Sequence, residues 1–315
     1  MTTDDLVTRS PCHPVTMSPS QSPPCSARLV LSEVLDQYFR EAERGVCDTG
    51  NYRCPYYVWG KGPALIIVPG MCDDGLSFIL PIARLKEHFR CIAFDLPCGQ
   101  GDGAKLGRYR HADHVNDLLA LADHLGLRQA YLFGSSFGST ITLGALGFAP
   151  ERFPRAVLQG GFARRPLAKP EIMLASWARY WRGHMALLPF RKPLLKYNHG
   201  APFLEREPGV WDFFMQRSGA PHMAAVARRA IMIHRTDLRP LLPQIHQPVL
   251  LICGDHDPLV GKKCEEELQR GLPMASRAEI ENCGHLPQFS HPEVMAEVVT
   301  RFLTIPDSCQ IERCL

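Results

Sequence analysis

Three short stretches of this chain hold residue types that could do chemistry together. The first is Gly134-Ser135-Ser136-Phe137-Gly138, a Gly-x-Ser-x-Gly run. A serine with glycine two residues away on each side suits a sharp strand-to-helix turn, which exposes its hydroxyl and strains its backbone. The N–H of Phe137, at the start of the following helix, is then free to donate to an oxyanion. The second stretch is Gly254-Asp255-His256-Asp257-Pro258-Leu259-Val260, and the third is Asn282-Cys283-Gly284-His285-Leu286-Pro287. A serine hydroxyl becomes a nucleophile when a histidine takes its proton, and the histidine needs a carboxylate to fix its tautomer. Ser136, an acid at Asp255 or Asp257, and His285 occur in that order along the chain.

Each stretch alone has a plainer reading. The serine run could be a Gly/Ser turn capping a helix. His285 could be structural, and Asp257 could be a helix N-cap before Pro258. Their joint weight depends on the elements that carry them. Tyr131 to Phe133 reads as the end of a buried strand, and Thr140 to Leu146 as an apolar helix. Val249-Leu250-Leu251-Ile252-Cys253 is a strand that runs into the acid loop. A short strand near Ala278-Glu279-Ile280 runs into the histidine loop.

Upstream, Leu29 to Glu43 has helical spacing. Tyr52 to Trp59 reads as a strand, and Pro55 within it predicts an edge position. Ala64 to Val68 and Cys91 to Phe94 are continuous apolar runs, as expected of strands buried on both faces of a parallel sheet. Leu76 to Phe89 and His111 to Leu125 read as helices, with His111 and His114 assigned to a solvated face. Ala156 to Gln159 is a further strand, and Pro292 to Leu303 a last helix. The alternation predicts an α/β fold with a doubly wound, mostly parallel sheet. It is interrupted over residues 161–247, which hold helical patterns rich in aromatics and methionine. The expected organisation is a disordered Pro/Ser-rich tail over 1–28, a first core segment over 29–160, a helical cap over 161–247, a second core segment over 248–305 and a tail over 306–315.

Composition bounds the function. The 315 residues are 45% hydrophobic and 21% charged, ordinary for a globular protein. A net charge of +3, without a basic run interleaved with aromatics, gives no support for nucleic-acid binding. No stretch approaches the length of a membrane span, and the acidic Met1-Thr2-Thr3-Asp4-Asp5 start is unlike a secretory signal. The twelve cysteines form no Cys-x-x-Cys pair, which argues against zinc or thioredoxin-like use, and with no export signal they read as reduced thiols in a cytoplasm. The basic residues of the cap (Arg164, Arg165, Arg179, Arg182, Arg191, Lys192, Arg228 and Arg229) read as a solvated surface.

With these motifs in place, the chain from about Tyr52 to Leu303 resembles the α/β-hydrolase superfamily, in the branch with a helical cap after the sixth strand. The family's acid loop, Gly-x-x-Asp followed by Pro and an apolar residue, matches Gly254 to Leu259, so the resemblance selects Asp257 over Asp255. Its Gly-His loop and the Pro-Glu of its last helix match Gly284-His285 and Pro292-Glu293. Its oxyanion loop falls on Pro69-Gly70-Met71, which implies the Met71 N–H as a second oxyanion donor beside Phe137. Pro69 stands where a His is usual, and Cys98 and Gln100 are unusual fillers in the loop from Asp95 to Gly101. The resemblance implies a cytoplasmic, carboxylesterase-like serine hydrolase. Its nucleophile would be Ser136, its base His285 and its acid Asp257. Its partners would be a small acyl substrate and water, with no metal or organic cofactor. Lactone or C–C bond hydrolysis and acyl transfer use the same triad. A ligand-binding protein on the same fold is the rival outside catalysis. Epoxide hydrolase and dehalogenase chemistry would need Asp at position 136.

Overall fold

The computed structural model describes residues 28–193, 195–196, 206 and 208–305. The tails expected over 1–28 and 306–315 lie outside the described residues, Arg28 excepted. Eight strands form one sheet: β1 (Glu43–Asp48), β2 (Arg53–Trp59), β3 (Ala64–Val68), β4 (Arg90–Phe94), β5 (Tyr131–Ser135), β6 (Ala156–Gln159), β7 (Val249–Gly254) and β8 (Ala275–Ile280). Their order is β1-β2-β4-β3-β5-β6-β7-β8. The β1–β2 and β2–β4 pairs are antiparallel and the rest are parallel.

The central strands are apolar because they are covered twice. In β3, Ile66 and Val68 face one core, while Leu65 and Ile67 face the other. The first core is closed by α3 (His111–His124) and α4 (Phe137–Phe148). The second is closed by α1 (Leu31–Glu41), α2 (Ile79–Leu85) and the last helix (Pro292–Thr304). Strand order reverses between β3 and β5, so their connections leave on opposite sides and open a crevice at the carboxyl ends. The serine turn follows β5, and Pro69-Gly70-Met71 follows β3, so both border that crevice.

The segment between β6 and β7 is helical among its described residues. It holds α5 (Lys169–Ala178), α6 (Pro208–Arg217) and α7 (Met223–Arg235), with α5 packed on α7. The chain then returns to the sheet through β7, α8 (Lys262–Gly271) and β8.

Three expectations need correction. Pro55 does not mark an edge, because β1 lies outside β2. The Pro55 carbonyl accepts from the Asp95 N–H, just past the last β2–β4 pair at Tyr56 and Phe94. Its nitrogen therefore faces the end of the ladder, where no donor is missed. The helix expected over Leu76–Phe89 is a tight turn, Gly75–Phe78, followed by α2. His114 is buried rather than solvated, packed edge to face on Phe137 with ring centroids 5.4 Å apart. Burial holds its pKa well below the ordinary histidine value, so it is neutral.

Candidate active site

Ser136 sits at the N-cap of α4 with φ +50° and ψ −115°, a strained conformation for a residue with a side chain. The two flanking glycines have steric reasons. A Cβ on Gly134 would stand 2.4 Å from Thr142 Oγ1 and 2.7 Å from the Gly138 carbonyl oxygen. A Cβ on Gly138 would stand 2.2 Å from the Val68 oxygen and 2.7 Å from the Pro69 oxygen. The start of α4 thus lies directly on the end of β3, and only glycine permits it. The same approach brings Gly70 to the serine: a Cβ there would be 3.5 Å from Ser136 Cβ. Met71, the next residue, lines one cavity together with Ser136 and His285. The Phe137 N–H lies in the first turn of α4, where backbone donors have no intrahelical partner.

His285 and Asp257 come from the loops after β8 and β7. His285 Nδ1 lies 2.6 Å from Asp257 Oδ2, and both side chains are buried. Asp257 Oδ1 accepts from the N–H groups of Leu259 at 2.8 Å and Val260 at 2.9 Å. Burial pushes the Asp257 carboxyl up. The charge and hydrogen bond of His285, with the two N–H donors, outweigh burial and hold its pKa below the usual carboxylate value. An ionised carboxylate only accepts, so Nδ1 carries the proton, and Nε2 is left as the ring nitrogen able to take one. Asp255 is not brought to His285. It ties the histidine loop instead, accepting from Asn282 N and Cys283 N.

Sequence reasoning missed three positioning residues, Gln159, Gly160 and Arg229. Gln159, at the end of β6, accepts from Ser135 Oγ at 2.6 Å and donates to the His285 carbonyl at 2.8 Å. It therefore links the serine turn to the histidine loop. Gly160 has φ +52°, and a Cβ there would stand 2.7 Å from His285 Cε1 and 2.9 Å from Nδ1. The Gly160-Gly161 doublet straight after an apolar strand was its only sequence signal.

Arg229 corrects the reading of the cap's basic residues as solvated, because it is 4% exposed. It donates to the carbonyls of Met71 at 2.7 Å and Pro97 at 2.9 Å, fixing the loop that carries the Met71 N–H. Arg191 is buried as well, donating to Ser218 Oγ and the Met215 carbonyl. Asp73 is buried beside Gly70. Burial and the charge of Asp74 raise its pKa to about 7, and His285 pulls the other way.

The cavity has a volume of about 300 Å³. Its walls are largely apolar and come from the inserted helices, with Leu174 and Trp177 from α5 and Met223, Val226 and Ile233 from α7. Arg165 and Glu171 form a polar stretch of its lining and approach each other at 3.8 Å. No cluster of three or more potential metal ligands occurs among the described residues.

Comparison with known proteins agrees with this architecture. The sequence profile of the alpha/beta hydrolase family matches residues 65–298. This chain belongs to the alpha/beta hydrolase family. It is 26% identical over 259 residues to the uncharacterized hydrolase YugF of Bacillus subtilis (strain 168), covering 79% of this chain and 93% of that one. It is 27% identical over 278 residues to a 2-hydroxymuconate semialdehyde hydrolase of Pseudomonas putida, covering 82% and 93%. Among solved structures, a thermophilic esterase from Thermogutta terrifontis superposes with a TM-score of 0.73 at 22% identity, covering 83% and 98%. The enol-lactonase from Burkholderia xenovorans LB400 superposes with a TM-score of 0.72 at 22% identity, covering 83% and 100%.

Proposed function

We propose that this hydrolase uses Ser136 as nucleophile, His285 as general base and Asp257 as the orienting acid to cleave a carboxylic ester of a small or medium apolar substrate. His285 Nε2 takes the Ser136 proton as Oγ attacks the carbonyl carbon. The Met71 and Phe137 N–H groups stabilise the resulting oxyanion. His285 returns the proton to the leaving alcohol, and a water activated by the same nitrogen releases the acyl group. The observation that carries this reading is the 2.6 Å Asp257–His285 contact at the edge of an apolar cavity that Ser136 and Met71 share.

The cavity walls favour an apolar acyl group over a charged one. The names of the P. putida and B. xenovorans relatives support a second reading, in which the same serine opens a lactone or a C–C bond. A cytoplasmic location belongs to the same proposal and rests on the reading of the cysteines as reduced thiols.

The test is a panel of p-nitrophenyl esters of increasing chain length, run beside an enol lactone, on wild type and Ser136→Ala. Ester turnover that disappears in Ser136→Ala supports the reading. Turnover that persists in the purified, folded variant refutes it.

A further inference from the structure

The outer face of α5 is the opposite of what a surface helix normally shows. Met173, Leu174, Trp177, Tyr180 and Trp181 recur at helical spacing and form one stripe running off the end of the helix. A stripe of this kind usually faces a core. Here its exposure ranges from 41% at Trp181 to 72% at Met173. The reason is that α5 turns its small buried residues, Ala175 and Ala178, inward, and packs on α7. Trp177 and Trp181 pack edge to face, 4.8 Å between centroids, so the patch is organised. Leu187 adds to it at 67% exposure, meeting Trp181 over Gly183, where a Cβ would stand 3.1 Å from one and 3.6 Å from the other.

Two further observations say what covers it. Leu174 and Trp177 also line the active-site cavity, so the patch continues into the cavity mouth. The surrounding charge is one-sided. Residues 164–196 hold eight Lys and Arg against a single acid, Glu171, in a chain whose net charge is only +3; of the eight, Arg191 is buried, Arg165 lies 3.8 Å from Glu171 and Arg164 3.7 Å from Asp237. Lys169, Arg182, Lys192 and Lys196 among them are exposed. A second copy of the chain would press like charges together. A protruding stripe of Trp, Tyr and aliphatic side chains ringed by cations has the chemistry of an interfacial helix on anionic lipid.

We propose that this face docks on an anionic membrane surface, with α5 lying in the headgroup region and the cavity mouth turned toward the lipid. Docking is independent of catalysis. The further consequence, that the apolar part of the substrate enters from the bilayer, rests on the hydrolase reading above.

The test is co-sedimentation of the full chain with vesicles of phosphatidylcholine alone or mixed with phosphatidylglycerol. Wild type and Ser136→Ala are expected to bind the mixed vesicles equally, about tenfold or more tighter than the neutral ones, and to release with added salt. Tyr180→Ser/Trp181→Ser is expected to weaken binding about tenfold. Arg182→Glu/Lys192→Glu is expected to remove the preference for anionic lipid. All four side chains lie outside the cavity lining, so both variants keep wild-type turnover of a short soluble ester. Binding by wild type that both variants retain in full overturns the proposal, as does equal binding to neutral and anionic vesicles. Absence of vesicle binding overturns it too. In that case a dimer that Tyr180→Ser/Trp181→Ser dissociates identifies a second copy as the occupant, and a monomer points to a protein partner. Loss of ester turnover in wild type with vesicle binding intact refutes the hydrolase reading and leaves the docking face standing.

Discussion

Gly160→Ala separates the placement of His285 from every other feature of the site. The new Cβ would stand 2.7 Å from His285 Cε1 and 2.9 Å from Nδ1. Relieving the closer contact to an ordinary 3.4 Å requires a shift of about 0.7 Å. The imidazole has nowhere easy to go, since it is 4% exposed and held at 2.6 Å by Asp257. A displacement near 1 Å in a reacting group costs on the order of 10²-fold, so kcat/KM is expected to fall by about 10- to 100-fold. The backbone also suffers, because φ +52° costs an alanine roughly 1–2 kcal/mol. Gly50→Ala supplies the control. Gly50 has φ +83° with nothing within 4 Å of a new Cβ, so it carries the backbone strain without the contact. The assay is ester turnover at matched folded fraction, with thermal unfolding of both variants. Both lose stability, and only Gly160→Ala loses activity. Activity in Gly160→Ala within about threefold of wild type refutes the positioning role.

Asp257→Asn removes the acceptor that fixes the His285 tautomer, and kcat is expected to fall by about 10³- to 10⁴-fold with the fold retained, read by ester turnover and circular dichroism. Asp73→Asn tests the buried carboxyl through pH. The folded-state pKa is raised from 3.8 to about 7, so the folded protein binds this proton more tightly than the unfolded chain, and the wild type loses stability as pH rises from about 4 to about 7. The asparagine variant lacks that loss. Its unfolding free energy relative to wild type, read from denaturation at each pH, is expected to climb across this window by at most about 4 kcal/mol and level off above it, and a flat difference contradicts the burial argument. Arg229→Met leaves the Met71 and Pro97 carbonyls without their donor, at a cost of about 1–3 kcal/mol each. It is expected to lower kcat more than it raises KM, because it loosens the loop that carries the Met71 N–H.

Legibility in the sequence followed the range of the interactions. The β5–turn–α4 unit was readable because its glycines answer contacts made within one supersecondary unit and the adjoining strand. The buried strands β3, β4 and β7 were readable because coverage on both faces makes them continuous apolar runs. β1 was not, since Glu43-Arg44-Gly45-Val46-Cys47-Asp48 buries only Cys47 and so carries no strand pattern. His114 misled because a neutral histidine packed edge to face on Phe137 occupies an apolar position that its residue type does not advertise. Gln159 and Arg229 act on groups 126 to 158 residues away, and no local pattern encodes a partner at that distance. Asp257 was separated from Asp255 by the family resemblance rather than by spacing. The structure gives the physical difference: one carboxylate reaches the imidazole and the other ties a loop.

The most direct test of the central claim is peptide mapping after treatment with a fluorophosphonate probe. An activated serine at the turn after β5 predicts a single adduct on Ser136, lost in Ser136→Ala and strongly slowed in Asp257→Asn. A folded wild-type protein that takes up no probe, or takes it up at another residue, contradicts the account.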